Sequence, residues 1–76
     1  MNSIADTATG RFTSTDRRDQ WLIDRTREWC MHYIQSDWCY RINMAAGTIA
    51  FDFAVQADAD LFRKITNRAP NLIACS

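Results

Sequence analysis

The feature that most limits the fold of this chain is a pair of alternating stretches joined by a short turn. In residues 38–44, one side carries apolar residues, namely Trp38, Tyr40, Ile42 and Met44. In residues 48–55, the matching side carries Ile49, Phe51, Phe53 and Val55. A period of two with aromatic and β-branched residues is typical of half-buried strands. Gly47 ends the connecting Ala-Ala-Gly segment and can supply the positive φ that a tight turn needs. The pattern predicts an antiparallel hairpin.

The other side of this hairpin carries small and polar residues: Cys39, Arg41, Asn43, Thr48, Ala50, Asp52 and Ala54. We expect this face to be open, with helices covering only the apolar face. Arg41 and Asp52 are expected to pair across the hairpin. Arg41, Asn43 and Asp52 form a candidate partner surface.

Two helices are predicted around the hairpin. The first spans residues 15–34, with Ser14, Thr15 and Asp16 as candidate N-caps. Its apolar stripe contains Leu22, Thr26, Trp29, Cys30 and Tyr33, flanked by Ile23 and Ile34. The second spans residues 58–67, with Asp58 as its cap and with a stripe of Leu61, Phe62 and Ile65. Residues 72–75 could add a short last strand.

These elements predict an α+β fold: a small two-layer sandwich in the order α-β-β-α(-β), ferredoxin-like but without a clear first strand. Residues 1–13 are expected to be a flexible tail, with a short extended piece near residues 11–13, and residues 14–76 a single domain. The predicted core contains Leu22, Trp29, Tyr33, Ile42, Ile49, Phe51, Phe53, Leu61, Phe62 and Ile65.

Composition narrows the class of protein. A chain of 76 residues allows one domain, and 47% hydrophobic with 12% aromatic residues indicates a folded one. No apolar run approaches the roughly 20 residues of a membrane span, and the first residues lack the pattern of a signal peptide. We therefore expect a cytoplasmic protein without membrane contact. Nine basic and nine acidic residues cancel, which argues against nucleic acid as the partner.

No residue pattern indicates catalysis or a cofactor. His32 is the single histidine, and it falls on the polar side of the first helix, one turn after Glu28. No glycine-rich phosphate loop is present. Cys30, His32 and Cys39 could be imagined as zinc ligands, but a structural zinc site normally closes with four ligands at tight spacing. The cysteines are better explained as small apolar fillers. We expect no enzyme, no metal and no cofactor.

Two resemblances add to this interpretation. Phe51-Asp52-Phe53, followed after four residues by Asp58-Ala59, is similar to the third strand and second helix of RNA-recognition-motif domains. That resemblance implies a ferredoxin-like fold. It does not imply RNA binding, because the family stacks bases on the opposite strand face, which here carries Thr48, Ala50 and Asp52.

The second resemblance concerns the whole chain. A Trp- and Cys-rich first helix, a hairpin and a closing helix that begins Asp58-Ala59-Asp60-Leu61-Phe62 resemble small accessory proteins of tailed bacteriophages. Those with known roles tend to bind and inhibit a host protein. The resemblance implies a protein that binds and inhibits or redirects a host protein complex, such as a defence or transcription complex, in the host cytoplasm.

The sharpest candidate surface lies on the first helix. Trp21 falls off the apolar stripe, on the same side as Arg25, Glu28 and His32. Trp and Arg are frequent at binding hot spots, so this row is the candidate surface for a host or cognate protein. Alternatively, the tail folds back over Trp21 through Phe12, which would make Trp21 structural. A self-associating subunit, including a homodimer, and a nucleic-acid-binding regulator remain as alternative functions.

Overall fold

The computed structural model describes residues 5–13 and 15–75. It contains three strands and two helices: β1 (Asp6–Arg11), α1 (Arg17–Tyr33), β2 (Trp38–Asn43), β3 (Thr48–Phe53) and α2 (Gln56–Thr66). The strands form one antiparallel sheet in the order β1-β3-β2. The protein is therefore a small α+β fold, and the arrangement is compatible with a two-layer sandwich. Ser14, one candidate cap, lies outside the described residues, as do residues 1–4 of the predicted tail and Ser76 at the end of the predicted domain.

The hairpin and both helices form where the sequence predicts them. Gly47 closes the β2–β3 turn with a φ of 65°. A side chain there would also meet the carbonyl oxygen of Phe12, because an added Cβ would lie 2.6 Å from it. Asp16 is the N-cap of α1, and its carboxylate accepts the Arg18 backbone N–H at 2.8 Å. The predicted cap of α2 is wrong: Val55 is the N-cap, and Asp58 lies in the first turn because its own N–H already bonds Val55.

The main correction concerns the N-terminal segment. β1 lies along β3 with Thr7 opposite Asp52, so residues 6–11 are a strand and not a tail. The predicted order without a first strand is wrong for the same reason. Arg63 of α2 holds this strand, donating to the Asp6 carboxylate at 2.6 Å and to the Thr7 carbonyl at 2.8 Å. The hydrogen bond from Arg63 is also the main reason why the pKa of Asp6 is below its usual value.

The predicted last strand is reduced to one bridge in the described chain, between Gly10 and Cys75. Gly10 allows this close approach, because a Cβ at that position would lie 2.9 Å from the Ala74 carbonyl oxygen. The segment is also tied to α1. The buried Thr26 hydroxyl donates to the Leu22 carbonyl at 2.6 Å and accepts the Ile73 backbone N–H at 2.8 Å. The C-terminal residues therefore cover the outer edge of β1.

Three aromatic rings form the centre of the core: Phe51, Phe53 and Phe62 are fully buried, and their ring centroids lie 5.0 Å apart in two pairs. The remaining buried hydrophobics come from β1, β3, both helices and the segments outside them, but none comes from β2; they are Ala8, Phe12, Ile23, Cys30, Ile34, Ile49, Ala59, Leu72, Ile73 and Cys75. Both helices contribute to this cluster on the Phe51 side of the sheet. No helix in the described residues is long and apolar enough to cross a bilayer.

Several predicted core positions are wrong. Tyr33, Ile42 and Leu61 are exposed, and Val55 lies beyond the end of β3 and is exposed too. On α1, Ile23, Thr26 and Cys30 are buried, so the helix is rotated from the predicted stripe toward the C-terminal segment that Thr26 binds. Leu22 and Trp29 are only partly buried against the core. No residue of β2 is fully buried, in contrast to Ala8 on the other edge strand, β1.

Candidate interaction surface

The exposed row on α1 combines one aromatic side chain with charged and polar ones. Trp21 is 48% exposed and does not belong to the core cluster. The Arg25 guanidinium lies 6.0 Å from the centroid of the Trp21 ring, and its Nη1 atom is 3.1 Å from Glu28 Oε1. Arg25 is therefore held between an aromatic face and a carboxylate. We call Trp21, Arg25, Glu28 and His32 the α1 row.

The alternative explanation of Trp21 can be compared directly with the structure. The N-terminal segment does fold back, and Phe12 is buried in the core, with its backbone N–H donating to the Gly47 carbonyl at 2.8 Å. Trp21 nevertheless keeps about half of its surface in solvent. Burial of Phe12 therefore does not make Trp21 part of the core.

A cavity of about 610 Å³ lies beside the α1 row. Three of the row's four residues line it, namely Arg25, Glu28 and His32, together with Trp29, Tyr33, Ile65, Ala69, Asn71 and Leu72. Trp29 and Tyr33 stack with their ring centroids 5.3 Å apart, which gives this cavity an aromatic wall. Trp21 does not line the cavity but lies on the same helix side. The structure thus places a half-exposed Trp next to an open cavity with mixed charge.

The second predicted surface has a different character. Asp52 is 2% exposed although it lies on the sheet face without helices. Thr7 donates to it at 2.6 Å, and Arg41 donates through Nε at 3.0 Å and through Nη2 at 3.3 Å. The Cys39 thiol lies 3.7 Å from the same carboxylate. The expected Arg41–Asp52 pair is confirmed, but the expectation that Asp52 faces water is wrong, because its neighbours on β1 and β2 cover it.

The pKa of Asp52 shows the balance of forces in this network. Burial acts to raise the pKa, but the hydrogen bonds from Thr7 and Arg41, with the positive charge of Arg41, outweigh it and leave the pKa below its usual value.

Asn43 has a local role, since its side-chain oxygen accepts the Ala46 N–H in the turn at 3.0 Å. Asp52 and Asn43 are thus occupied within the fold, and the Arg41 side chain, 69% exposed, is the accessible part of this surface.

The cysteines differ in environment. Burial raises the pKa of both Cys30 and Cys75 to about 12, so both thiols stay protonated at neutral pH. Cys39 is exposed. Within residues 5–13 and 15–75, no group of three or more histidine, cysteine or acidic side chains is placed to hold a metal ion.

Sequence reasoning missed a second cavity, of about 800 Å³, at the N-terminal end of α1. Arg11, Arg18 and Arg68 line it and come from β1, from α1 and from the segment after α2. We call this site the basic groove. Its signal in the sequence is weak because the nine basic and nine acidic residues cancel in the total charge.

Comparison of the chain with protein-family models, curated proteins and solved structures finds no match.

Proposed function

We propose that this protein is a small non-catalytic protein-binding module that contacts its partner through the α1 row. The observation that carries the proposal is the half-exposed Trp21, outside the core, with the Arg25 guanidinium 6.0 Å from its ring. Trp and Arg dominate binding hot spots because each offers a large contact area together with a polar group. The adjoining cavity offers a recess for a side chain of the partner.

The experiment compares Trp21→Ala and Arg25→Ala with Met31→Ala in capture of partners from a native lysate, read by mass spectrometry. Met31 is the matched control, because it is 73% exposed on the same helix but lies off the row. We expect the first two variants to lose the captured protein and to melt like the parent protein. A hot-spot residue contributes about 2 kcal/mol or more, roughly a thirtyfold change in Kd. Loss of thermal stability would show that Trp21 has a structural role, and undiminished capture would show that the partner surface lies elsewhere.

The resemblance to phage accessory proteins extends this proposal. The protein would be encoded by a phage or mobile element, act in the host cytoplasm and bind a host protein complex, such as a defence or transcription complex, to inhibit or redirect it. The extension rests on the Asp58-Ala59-Asp60-Leu61-Phe62 similarity and on the order of elements around it. It predicts that the captured protein is a subunit of such a complex and that its activity falls when this protein is added.

For the fold, we propose a ferredoxin-like assignment in which the fourth strand is vestigial. The strand order β1-β3-β2 and the connection β-α-β-β-α support it. The antiparallel Gly10–Cys75 bridge supports it further, because it puts the chain after α2 beside β1. A solution structure in which residues around Cys75 pair with β1 as a regular strand would support the assignment.

A second candidate function is self-association through β2, as a homodimer or a small subunit. β2 is an edge strand, and the exposed residues Ile42 and Met44 lie at its turn end. An exposed apolar edge is a template for strand pairing between copies. Sedimentation of the parent protein and of Ile42→Lys tests this: an oligomer that the charged variant converts to monomer favours self-association, and a monomeric parent protein rules it out.

A further inference from the structure

The basic groove is built where three elements converge. Arg11 is the last residue of β1, Arg18 lies in the first turn of α1, and Arg68 follows the end of α2. All three side chains line the same cavity of about 800 Å³. Residues far apart in the sequence are thus brought to one end of the fold.

Four of the five other arginines are paired with carboxylates, and Arg17 is the exception among the described residues. Arg25, Arg27, Arg41 and Arg63 each lie within 4.0 Å of a carboxylate. The three groove arginines have no such carboxylate partner in the part of the chain that the structure describes. Among the described residues that line the groove, one carries a carboxylate, namely Asp19, and its Oδ2 atom accepts the Thr13 backbone N–H at 2.5 Å. The groove therefore has an excess of positive charge in a chain whose formal net charge is zero.

We propose that the basic groove binds an acidic peptide segment of the partner protein. This inference rests on the proposed protein-binding function and adds the chemistry of the partner. Guanidinium groups match the two oxygens of a carboxylate, so several Asp or Glu side chains in an extended segment suit three separated arginines. The remaining wall is largely aliphatic and includes Leu22, Pro70, Leu72 and Ile73, which suits the apolar side chains of a peptide.

Nucleic acid fits this groove less well. A groove that binds single strands combines basic residues with aromatic side chains on which bases stack. No Trp, Tyr, Phe or His lines the basic groove among the described residues. A duplex would need a broad basic surface, whereas other arginines of this chain are already paired with carboxylates.

The position of the groove allows one partner to occupy both surfaces. Ala69 and Leu72 line the basic groove and also the cavity beside the α1 row. The two cavities therefore adjoin across the segment after α2. An acidic peptide in the groove would lie next to a partner side chain that occupies the cavity lined by Arg25, Glu28 and His32.

The test measures binding of a short fluorescent peptide, in which Glu alternates with Leu and Ala, by anisotropy at low ionic strength. Because the groove arginines are exposed, each single Arg→Gln change is expected to weaken the Kd by roughly two- to fivefold. The triple change Arg11→Gln, Arg18→Gln, Arg68→Gln should weaken it roughly tenfold or more. Arg17→Gln is the matched control, since Arg17 is also exposed and adjoins Arg18 but does not line the groove; it should bind like the parent protein. Melting curves check that each variant folds.

Three results would overturn the inference: no binding of the peptide, equal binding by the parent protein and the folded triple variant, or tighter binding of an oligothymidylate of equal charge. The last result would indicate a nucleic-acid site instead. The proposed function is tested separately by Trp21→Ala. If Trp21→Ala loses partner capture while the triple variant binds the peptide like the parent protein, the proposed role of the α1 row stands and that of the basic groove is refuted.

Discussion

Replacing Thr26 by Val tests how the C-terminal segment is attached to the rest of the fold. Thr26 is fully buried, and its hydroxyl accepts the backbone N–H of Ile73, which is itself 2% exposed. Valine has nearly the same shape but no oxygen, so it leaves that N–H without a partner and away from water. An orphaned buried donor costs about 1–3 kcal/mol. The methyl group that replaces the hydroxyl opens no cavity, and its apolar transfer offsets part of this cost.

The net loss is expected to be about 1–2 kcal/mol, since the apolar gain is smaller than the cost of the unpaired donor. A chain of 76 residues has a total stability of roughly 4–11 kcal/mol, so the loss is a large share of it. For a domain of this size each 1 kcal/mol lowers Tm by about 4–8 °C. Thermal unfolding by circular dichroism should therefore show a Tm lower by roughly 5–15 °C.

Amide hydrogen exchange by NMR locates the effect. In the parent protein the Ile73 amide should be protected, and in Thr26→Val it should exchange faster than the amides of β3. Thr26→Ser is the matched control, because it keeps the hydroxyl and removes one methyl group, at a cost of about 1 kcal/mol. Its Ile73 amide should stay protected although its Tm falls. A Thr26→Val protein that melts like the parent protein and keeps Ile73 protected would refute the role assigned to this hydrogen bond.

Three further predictions follow from the same structure. Phe51→Ala removes a fully buried ring and should cost about 3–5 kcal/mol in chemical unfolding, leaving a protein that barely folds; a parent-like midpoint would contradict the core assignment. Arg41→Ala should keep the fold and raise the pKa of Asp52 in a carboxyl NMR titration, because a main hydrogen bond to that carboxylate is lost. In the parent protein the lowered pKa of Asp52 contributes stability above pH about 4, and this contribution is lost as the pH falls through the pKa of the folded state. Gly47→Ala should lower Tm, since φ is 65° and the Phe12 oxygen blocks a Cβ; an unchanged Tm would show that the turn adapts.

The elements that could be predicted are those whose signal is local. The β2–β3 hairpin follows from alternation over adjacent residues, and both helices follow from their periodicity and polar first turns. The α1 row follows in the same way, because Trp21, Arg25, Glu28 and His32 share one side of a helix whatever the rest of the chain does.

β1 could not be predicted, because its reasons are not local. The stretch Asp6–Arg11 has no alternation of large apolar residues, and its residues on the helix side include the small Ala8 and Gly10. It becomes a strand through partners far along the chain: Thr7 hydrogen-bonds Asp52, 45 residues away, and Arg63 holds Asp6 from 57 residues away. Because these residues are small, α2 and the C-terminal segment can approach β1 closely. In the sequence, however, a stretch of small and polar residues looks like a tail.

The same cause explains the missed parts of the candidate site. Alternation puts Asp52 on the face expected to be open, but the side chains that bury it come from two other strands. The basic groove depends on Arg11, Arg18 and Arg68, which only the complete fold brings together. A total charge of zero conceals this arrangement, because carboxylates elsewhere neutralise other arginines.

The C-terminal segment connects the stability of this protein to both proposed contact surfaces. Residues of this segment line the basic groove and the cavity beside the α1 row, and Leu72 contributes to both. The position of the segment depends on two contacts made at its end: the Thr26–Ile73 hydrogen bond and the Gly10–Cys75 bridge. α1 supplies one wall of each cavity and also the hydroxyl that holds the opposite wall. Both cavities therefore depend on the Thr26–Ile73 hydrogen bond and the Gly10–Cys75 bridge, because the segment that these contacts hold against α1 and β1 forms a wall of each cavity.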